Sequence, residues 1–338
     1  MRIKFRYYVV AGILFWTLNT SVISGANKSC NSKRISPFVG TWAFQLPDGY
    51  PAWLGVKSDS TISLLWSIGG ANPTSDVVIQ NKKISFYRGF RWQPFGNQDT
   101  FLVRKPIIGK ITEKDQLMLT VFHTLRGMND TLVIYGKRMP PMPENPDLSK
   151  LKFGKPVDLL AEGIESWVLT DPNKINGWRL EDGVLINEST KKNFIAYGTY
   201  GNLRTKQEFY DFELSLEYNV PLKGNSGIYL RGAYEVQVVD KDSPMQGIQG
   251  PGAIFDRIKP TENMGKPGAE WNQIRILLIA RHITVILNKK CVIDNEPLEG
   301  CTGGGINADD IAPGPVFLQG DHTLIKYRNM VLRPVIGN

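Results

Sequence analysis

Late in the chain, the run Gln319-Gly320-Asp321-His322 sets an imidazole beside a carboxylate, with an amide three residues upstream. Histidine changes charge near neutral pH, and at a strand end beside a carboxylate it is a candidate acid or base. The other two histidines lack such neighbours: His123 falls on a strand as a structural residue, and His282 in an exposed turn. A second set of reactive side chains lies in residues 210–240, where polarity alternates with the two-residue period of strands. Phe212, Leu214, Leu216 and Tyr218 share one side, and Asp211, Glu213, Ser215 and Glu217 the other. After a turn containing Pro221, Lys223, Gly224 and Asn225, Ile228 and Leu230 continue the apolar side and Tyr229 and Arg231 the polar one. Gly232-Ala233 allows a bulge or corner, beyond which Val236 and Val238 oppose Glu235 and Gln237. A face of Tyr, Arg, Glu and Gln suits a polar ligand, and it equally suits water, as one side of many antiparallel sheets does. Asn225 serves the turn and is within reach of that face. Asp240 ends its strand as a ligand, a cap or an ion-pair partner. Glu213 and Glu217 offer two carboxylates on one side, but E-x-x-x-E is no glycosidase signature.

The elements that must carry these groups read as strands throughout. In residues 35–138, GTWAFQL, AWLGVKS, TISLLWSI, DVVIQNKKISFYR, TFLVRKPIIGKIT, QLMLTVF and TLVIYGKR recur at roughly ten-residue spacing, as in a small antiparallel barrel or sandwich. Its aromatics Trp53, Trp66, Tyr87, Phe90 and Trp92 fill a core or form a sugar-stacking platform. No paired catalytic constellation appears there, so an accessory role is expected. Residues 139–150, MPPMPENPDLSK, hold four prolines, which make a stiff, extended linker. Residues 151–338 return to strands and turns. Asp182-Gly183 is a hairpin turn, Ala280-Arg281-His282 another turn, and residues 250–270 a long Gly/Pro-rich loop.

The 338-residue chain has a formal charge of +8 with its basic residues scattered among acids, which argues against nucleic acid as a partner. Residues 1–26 have the layout of a secretory signal: Arg2, Lys4 and Arg6, an apolar run over 8–18, then small Ser24 and Ala26. That run is too short to span a membrane comfortably. A periplasmic or secreted protein with no span in the mature chain is expected. In an oxidising compartment Cys291 and Cys301 would bond, or remain two free thiols. No C-x-x-C spacing points to cysteine-held metal.

The segments GNSGIYLRGAYEVQVVD, GPGAIFDRIKPTENMGKPGAEWNQIRI, VILNKKCVIDN and GPVFLQGDHTLIKYRNMVLRP follow one another, preceded by a W-x-x-x-D-G-x-L hairpin from Trp178 to Leu185. In this order and content, residues 155–336 resemble the 3-keto-disaccharide hydrolase family. The resemblance implies an all-β chain whose second body is a concanavalin-like β-sandwich, or jelly roll, following the small barrel. It also implies action on an oxidised glycoside. In that chemistry a C3 ketone acidifies the C2 hydrogen, a base removes it, and the enediolate expels the group at C1. Water then adds, for a net hydrolysis. Ordinary glycosidases need two opposed carboxylates. This route needs one base, with cationic or hydrogen-bonding groups facing the oxyanion. Carried onto this sequence, His322 or Glu235 is the base, and Arg231, Gln237 and Gln319 hold the ketone and hydroxyls. Tyr229, Asn225 and Asp240 complete the substrate contacts. A divalent metal held by Glu, Asp and His could stabilise the same oxyanion, although no ligand spacing demands one. Asp256 stands where the family commonly has Tyr-Gly, and no role is carried onto it. Since such sandwiches also serve as binding modules, a non-catalytic carbohydrate-binding protein is the alternative.

Overall fold

Alternation and frequent turns produce three antiparallel sheets. The computed structural model describes residues 36–80, 82–92, 101–125, 128–189 and 199–337. The expected signal of residues 1–26 lies outside them, as do the side chains of Phe90, Trp92 and His123. The first sheet comprises β1 (Gly40–Gln45), β2 (Pro51–Val56), β3 (Ile62–Trp66), β4 (Thr74–Gln80), β5 (Lys83–Trp92), β6 (Phe101–Ile111), β7 (Gln116–Leu125) and β8 (Met128–Arg138). Their order is β3-β2-β1-β8-β7-β6-β5-β4, and an isolated bridge between Leu64 and Asn72 brings its two ends together. The nearly closed barrel encloses Trp42, Phe44, Leu54, Trp66, Ile84, Phe86 and Leu119. Trp53 instead packs with the core of the sandwich, so neither tryptophan joins an open stacking platform.

The remaining strands are β9 (Lys152–Phe153), β10 (Val157–Asp158), β11 (Trp167–Leu169), β12 (Trp178–Glu181), β13 (Val184–Asn187), β14 (Leu203–Thr205), β15 (Phe212–Asn219), β16 (Asn225–Leu230), β17 (Tyr234–Val239), β18 (Trp271–Ile279), β19 (His282–Leu287), β20 (Lys290–Pro297), β21 (Phe317–Leu318) and β22 (Ile325–Gly337). A large sheet runs β12-β13-β22-β15-β18-β19-β20, with β9 and β10 also along β22. A small sheet runs β11-β14-β21-β16-β17. Leu214, Leu216 and Tyr218 from the large sheet meet Ile228, Val236 and Leu318 from the small one in a single core, giving the jelly roll.

Two local expectations are corrected. β15 and β16 do not form one sheet: residues 220–224 carry the chain from the large sheet to the small one. Both strands bury one side in the shared core, so their parity looks continuous although they lie in different sheets. The hairpin is β16–β17, turned by Arg231 (φ 53°) and Gly232 (φ 65°), with Ala233 N–H donating to Leu230 O at 3.0 Å. His282 is not an exposed turn residue. It opens β19 opposite Ile279, is buried, and its Nδ1 lies 2.9 Å from Ala280 O. The turn itself is Ala280-Arg281, both at positive φ. Asp182-Gly183 turns β12 into β13 at positive φ, as the Asp-Gly dipeptide demands. Cys291 and Cys301 are free thiols, the first exposed and the second buried. Among the described residues no helix is long and apolar enough to cross a membrane.

Candidate active site

Register places the site. β16 and β17 pair Tyr229 with Glu235 and Gly227 with Gln237, so these side chains leave the core on the outer face of the small sheet. That face is not open to water. Residues 302–305 and the turns of the barrel cover it, leaving Glu235 3% exposed. Next in the sheet, β21 stacks Phe317 on Tyr229, with ring centroids 4.3 Å apart, and ends at Leu318, one residue before Gln319. The turn that follows brings Asp321 and His322 to the same cleft, of about 350 Å³, which Asn225, Tyr229, Glu235, Gln237 and Gln319 also line. Small-molecule sites have volumes of roughly 300–1,000 Å³.

Glu235 has room because its cross-strand neighbourhood holds a glycine: a Cβ on Gly227 would lie 2.3 Å from Oε1. Its Oε2 is 2.8 Å from the Tyr229 hydroxyl, which is 2.9 Å from Gly303 O. Burial pushes the Glu235 carboxyl up to about 8; the Tyr229 hydrogen bond works against that rise and the Asp321 charge adds to it. Proton counting agrees. Gly303 O can only accept, and a tyrosine has one proton to give. The single tyrosine proton serves only one of its two acceptors at a time, and a proton on Glu235 would satisfy the other contact. Near neutral pH, Glu235 is chiefly a neutral acid.

His322 Nδ1 lies 2.6 Å from Asp321 Oδ1. The turn carrying this pair is held by Asn202, whose Oδ1 accepts from Gly320 N–H at 2.7 Å and Asp321 N–H at 3.2 Å. A ring that donates from Nδ1 to the carboxylate carries its lone pair on Nε2, the form a base requires. Gln237 Nε2 donates to Asn225 Oδ1 at 2.9 Å. Its Oε1, like that of Gln319, is a buried acceptor with no protein partner among the described residues. Such an acceptor costs about 1–3 kcal/mol if left unsatisfied, so a hydroxyl-bearing ligand gains by supplying its donors.

Two expected contacts are not in the cleft. Arg231 occupies the hairpin turn, where positive φ takes it out of the strand alternation. It is 1% exposed, with its guanidinium 5.2 Å and 5.8 Å from the rings of Tyr210 and Tyr234, and it does not line the cleft. No arginine or lysine lines it among the described residues. Asp240 is a cap: its carboxylate accepts from Lys223 N–H at 2.7 Å and Asp242 N–H at 3.0 Å. Glu213 and Glu217 point to the solvent side of the large sheet. Arg333 and Arg275 hold the first, and Arg328 and Asn329 the second. Among the described residues no three His, Cys, Asp or Glu side chains are grouped to hold a metal.

A further depression of about 320 Å³ lies on that solvent side, between Glu217, Arg275 and Lys289. Its described lining holds no buried unsatisfied polar atom, and its Glu217 is ion-paired, so it lacks the features of the cleft. Gly303, Asn202, Tyr50 and Ile68 are among the contributors that escape sequence reading. Gly303 belongs to a Cys-Thr-Gly-Gly-Gly run that marks a loop of close approach. Asn202, Tyr50 and Ile68 have no comparable signal, the last two because they come from the barrel.

Several solved structures are similar to this chain. One candidate glycosyl hydrolase from Parabacteroides distasonis is 24% identical, covering 54% of this chain and 100% of its own, with a TM-score of 0.42. A second from the same organism is 25% identical, covering 59% and 94%, with a TM-score of 0.44. A non-specific endo-beta-1,3(4)-glucanase of family GH16, SCLam, is 10% identical, covering 57% and 90%, with a TM-score of 0.32. No curated protein matches the chain. The pattern of the 3-keto-alpha-glucoside-1,2-lyase-like domain matches residues 159–333, which include the small sheet and every polar group of the cleft except those from the barrel. The chain therefore belongs to that family of glycoside-active domains.

Proposed function

We propose that the chain cleaves 3-keto-glycosides by elimination across C1 and C2 followed by hydration. One observation carries this reading: a histidine–carboxylate pair and a neutral buried carboxylic acid face the same cleft, beside two amide oxygens awaiting donors. Gln237 Oε1 and Gln319 Oε1 accept from ring hydroxyls and orient the oxidised sugar. His322 Nε2 removes the C2 proton, and Asp321 stabilises the imidazolium that forms. The C–H electrons become the C2–C3 double bond while the ketone oxygen gains the charge. Glu235, kept protonated by burial, donates a hydrogen bond to that oxygen without losing its proton, the role of a carboxylic acid held neutral at pH 7. Collapse of the enediolate breaks the C1–oxygen bond, the imidazolium protonates the departing oxygen, and water adds across the new double bond.

A two-carboxylate hydrolysis has no support from Glu213 and Glu217, since both are committed to arginines on the opposite face of the sandwich. The layout of residues 1–26 supports action in the periplasm or outside the cell. The test is to incubate the purified protein with an aryl 3-keto-glucoside and with its unoxidised parent. Cleavage of the keto sugar alone is expected. Cleavage of the parent alone would overturn the reading, and binding of sugar without turnover of either would make the chain a carbohydrate-binding protein.

A further inference from the structure

The barrel is fastened to the loop that roofs Glu235. Gly303 passes so close to the β3–β4 turn that a Cβ would sit 1.9 Å from Gly69 O, and Gly304 N–H donates to Ser67 O at 3.0 Å. The Trp53 indole donates to Cys301 O at 3.0 Å beneath the guanidinium of Arg257, 4.2 Å from the ring. Asp256, the residue that departs from the family pattern, accepts from Ala71 N–H at 3.2 Å in the same turn. These contacts hold the β3–β4 turn at the mouth of the cleft. There Ile68, with Tyr50 from the β1–β2 turn, forms a wall.

This wall differs in chemistry from the floor. The floor offers Glu235 and two unsatisfied amide oxygens, suited to a ring rich in hydroxyls. The wall offers a phenol 38% exposed and an isoleucine 63% exposed, large apolar surfaces left open beside the cleft. Tyr50 also faces the histidine–carboxylate pair: burial and then the charge of Asp321 make its hydroxyl less acidic. The group departing from C1 must leave the floor where the oxidised ring sits.

Resting on the reaction proposed above, we infer that Tyr50 and Ile68 form the subsite for the departing group, and that this group presents a flat apolar face. An aromatic ring has such a face, and so does the C–H side of a second pyranose. The barrel thereby sets the specificity of a reaction whose acid and base lie in the sandwich.

The test compares kcat/KM for phenyl, glucosyl and methyl 3-keto-glucosides in the wild type and in Tyr50→Ala, Tyr50→Phe and Ile68→Ser. An aromatic contact of this kind is worth up to about tenfold, so in Tyr50→Ala the phenyl-to-methyl or glucosyl-to-methyl ratio should fall by about that factor. Tyr50→Phe, which keeps the ring, should preserve the ratio, and Ile68→Ser should lower it less. A fall in the phenyl ratio alone identifies an aromatic group, and in the glucosyl ratio alone a sugar. Unchanged ratios in Tyr50→Ala would overturn the subsite while leaving the reaction standing. Should the wild type cleave none of the three, the reaction fails and calorimetric titration with phenyl and methyl glucosides decides the subsite. A phenyl preference abolished by Tyr50→Ala supports it, and equal affinities for the two ligands refute it.

Discussion

The two outer faces of the sandwich both carry glutamates on alternating strands, with opposite outcomes. On the large sheet β22 sets Arg333 opposite Glu213 and Arg328 opposite Glu217. Burial tends to raise the Glu217 carboxyl, but hydrogen bonds from Arg328 and Asn329 bring it below its ordinary value. Ionised and paired, such a group has no proton to give. On the small sheet the residue opposite Glu235 is Tyr229, a neutral partner, and the cover of loop and barrel removes water. Burial then decides, and the carboxyl keeps its proton to about pH 8. The cross-strand neighbour and the cover, more than the glutamate itself, separate a structural ion pair from a carboxyl that holds its proton.

The largest effect should come from removing the donor. Glu235→Ala is expected to lower kcat on a 3-keto-glucoside by about 10²–10³-fold, the scale of losing one oxyanion donor, with KM changing far less. Glu217→Ala should stay within about twofold, since exposed ion pairs contribute little and lie far from the chemistry. Equal losses in steady-state assays of the two variants would break the comparison. The proposed neutral donor also sets a pH limit: kcat should decline above about pH 8 as Glu235 ionises.

A smaller effect should appear in stability, with opposite signs at the two sites. Glu235 has a folded-state value raised above its unfolded one, so the unfolded chain loses its proton first. Folding stability therefore falls as pH rises from the ordinary carboxylate range to about 8. Glu235→Gln removes that penalty, and its folding stability relative to wild type should climb over this window, by on the order of a few kcal/mol at the upper end, with a rising melting temperature. Glu217 is lowered in the folded state, so its contribution is present above the unfolded value and lost on acidification. Glu217→Gln should thus lose stability relative to wild type as pH rises through that range, by about 1 kcal/mol or less. Thermal melts across pH check both. Curves of the same sign would show that the two carboxylates share one environment.

Much of this arrangement is legible in the strand pattern, and the exceptions have physical causes. Alternation assigns Tyr229, Glu235 and Gln237 to one side because each strand must bury its other side. It does not reveal which sheet a strand joins, so β15 and β16 read as one surface although a core separates them. Arg231 fits the alternating pattern only if the strand continues; two residues at positive φ end it there, and Gly232 is the visible sign. Asp240 is read with three roles open, and the backbone N–H groups of Lys223 and Asp242 select the cap. Asp321 is visible as a neighbour of His322, whereas Tyr50 and Ile68 are not readable at all. Their place depends on glycines more than two hundred residues away meeting the β3–β4 turn, a tertiary contact without local periodicity.

In the proposed reaction the small-sheet cleft removes a proton from C2 of a 3-keto sugar. This step is tested most directly by following a 3-keto-glucoside deuterated at C2 by mass spectrometry and proton NMR during turnover in ordinary water. A slower reaction than for the protiated sugar and loss of the label from C2 are expected, both abolished in His322→Ala. Cleavage that retains deuterium at C2 and proceeds at the same rate for both sugars would contradict it.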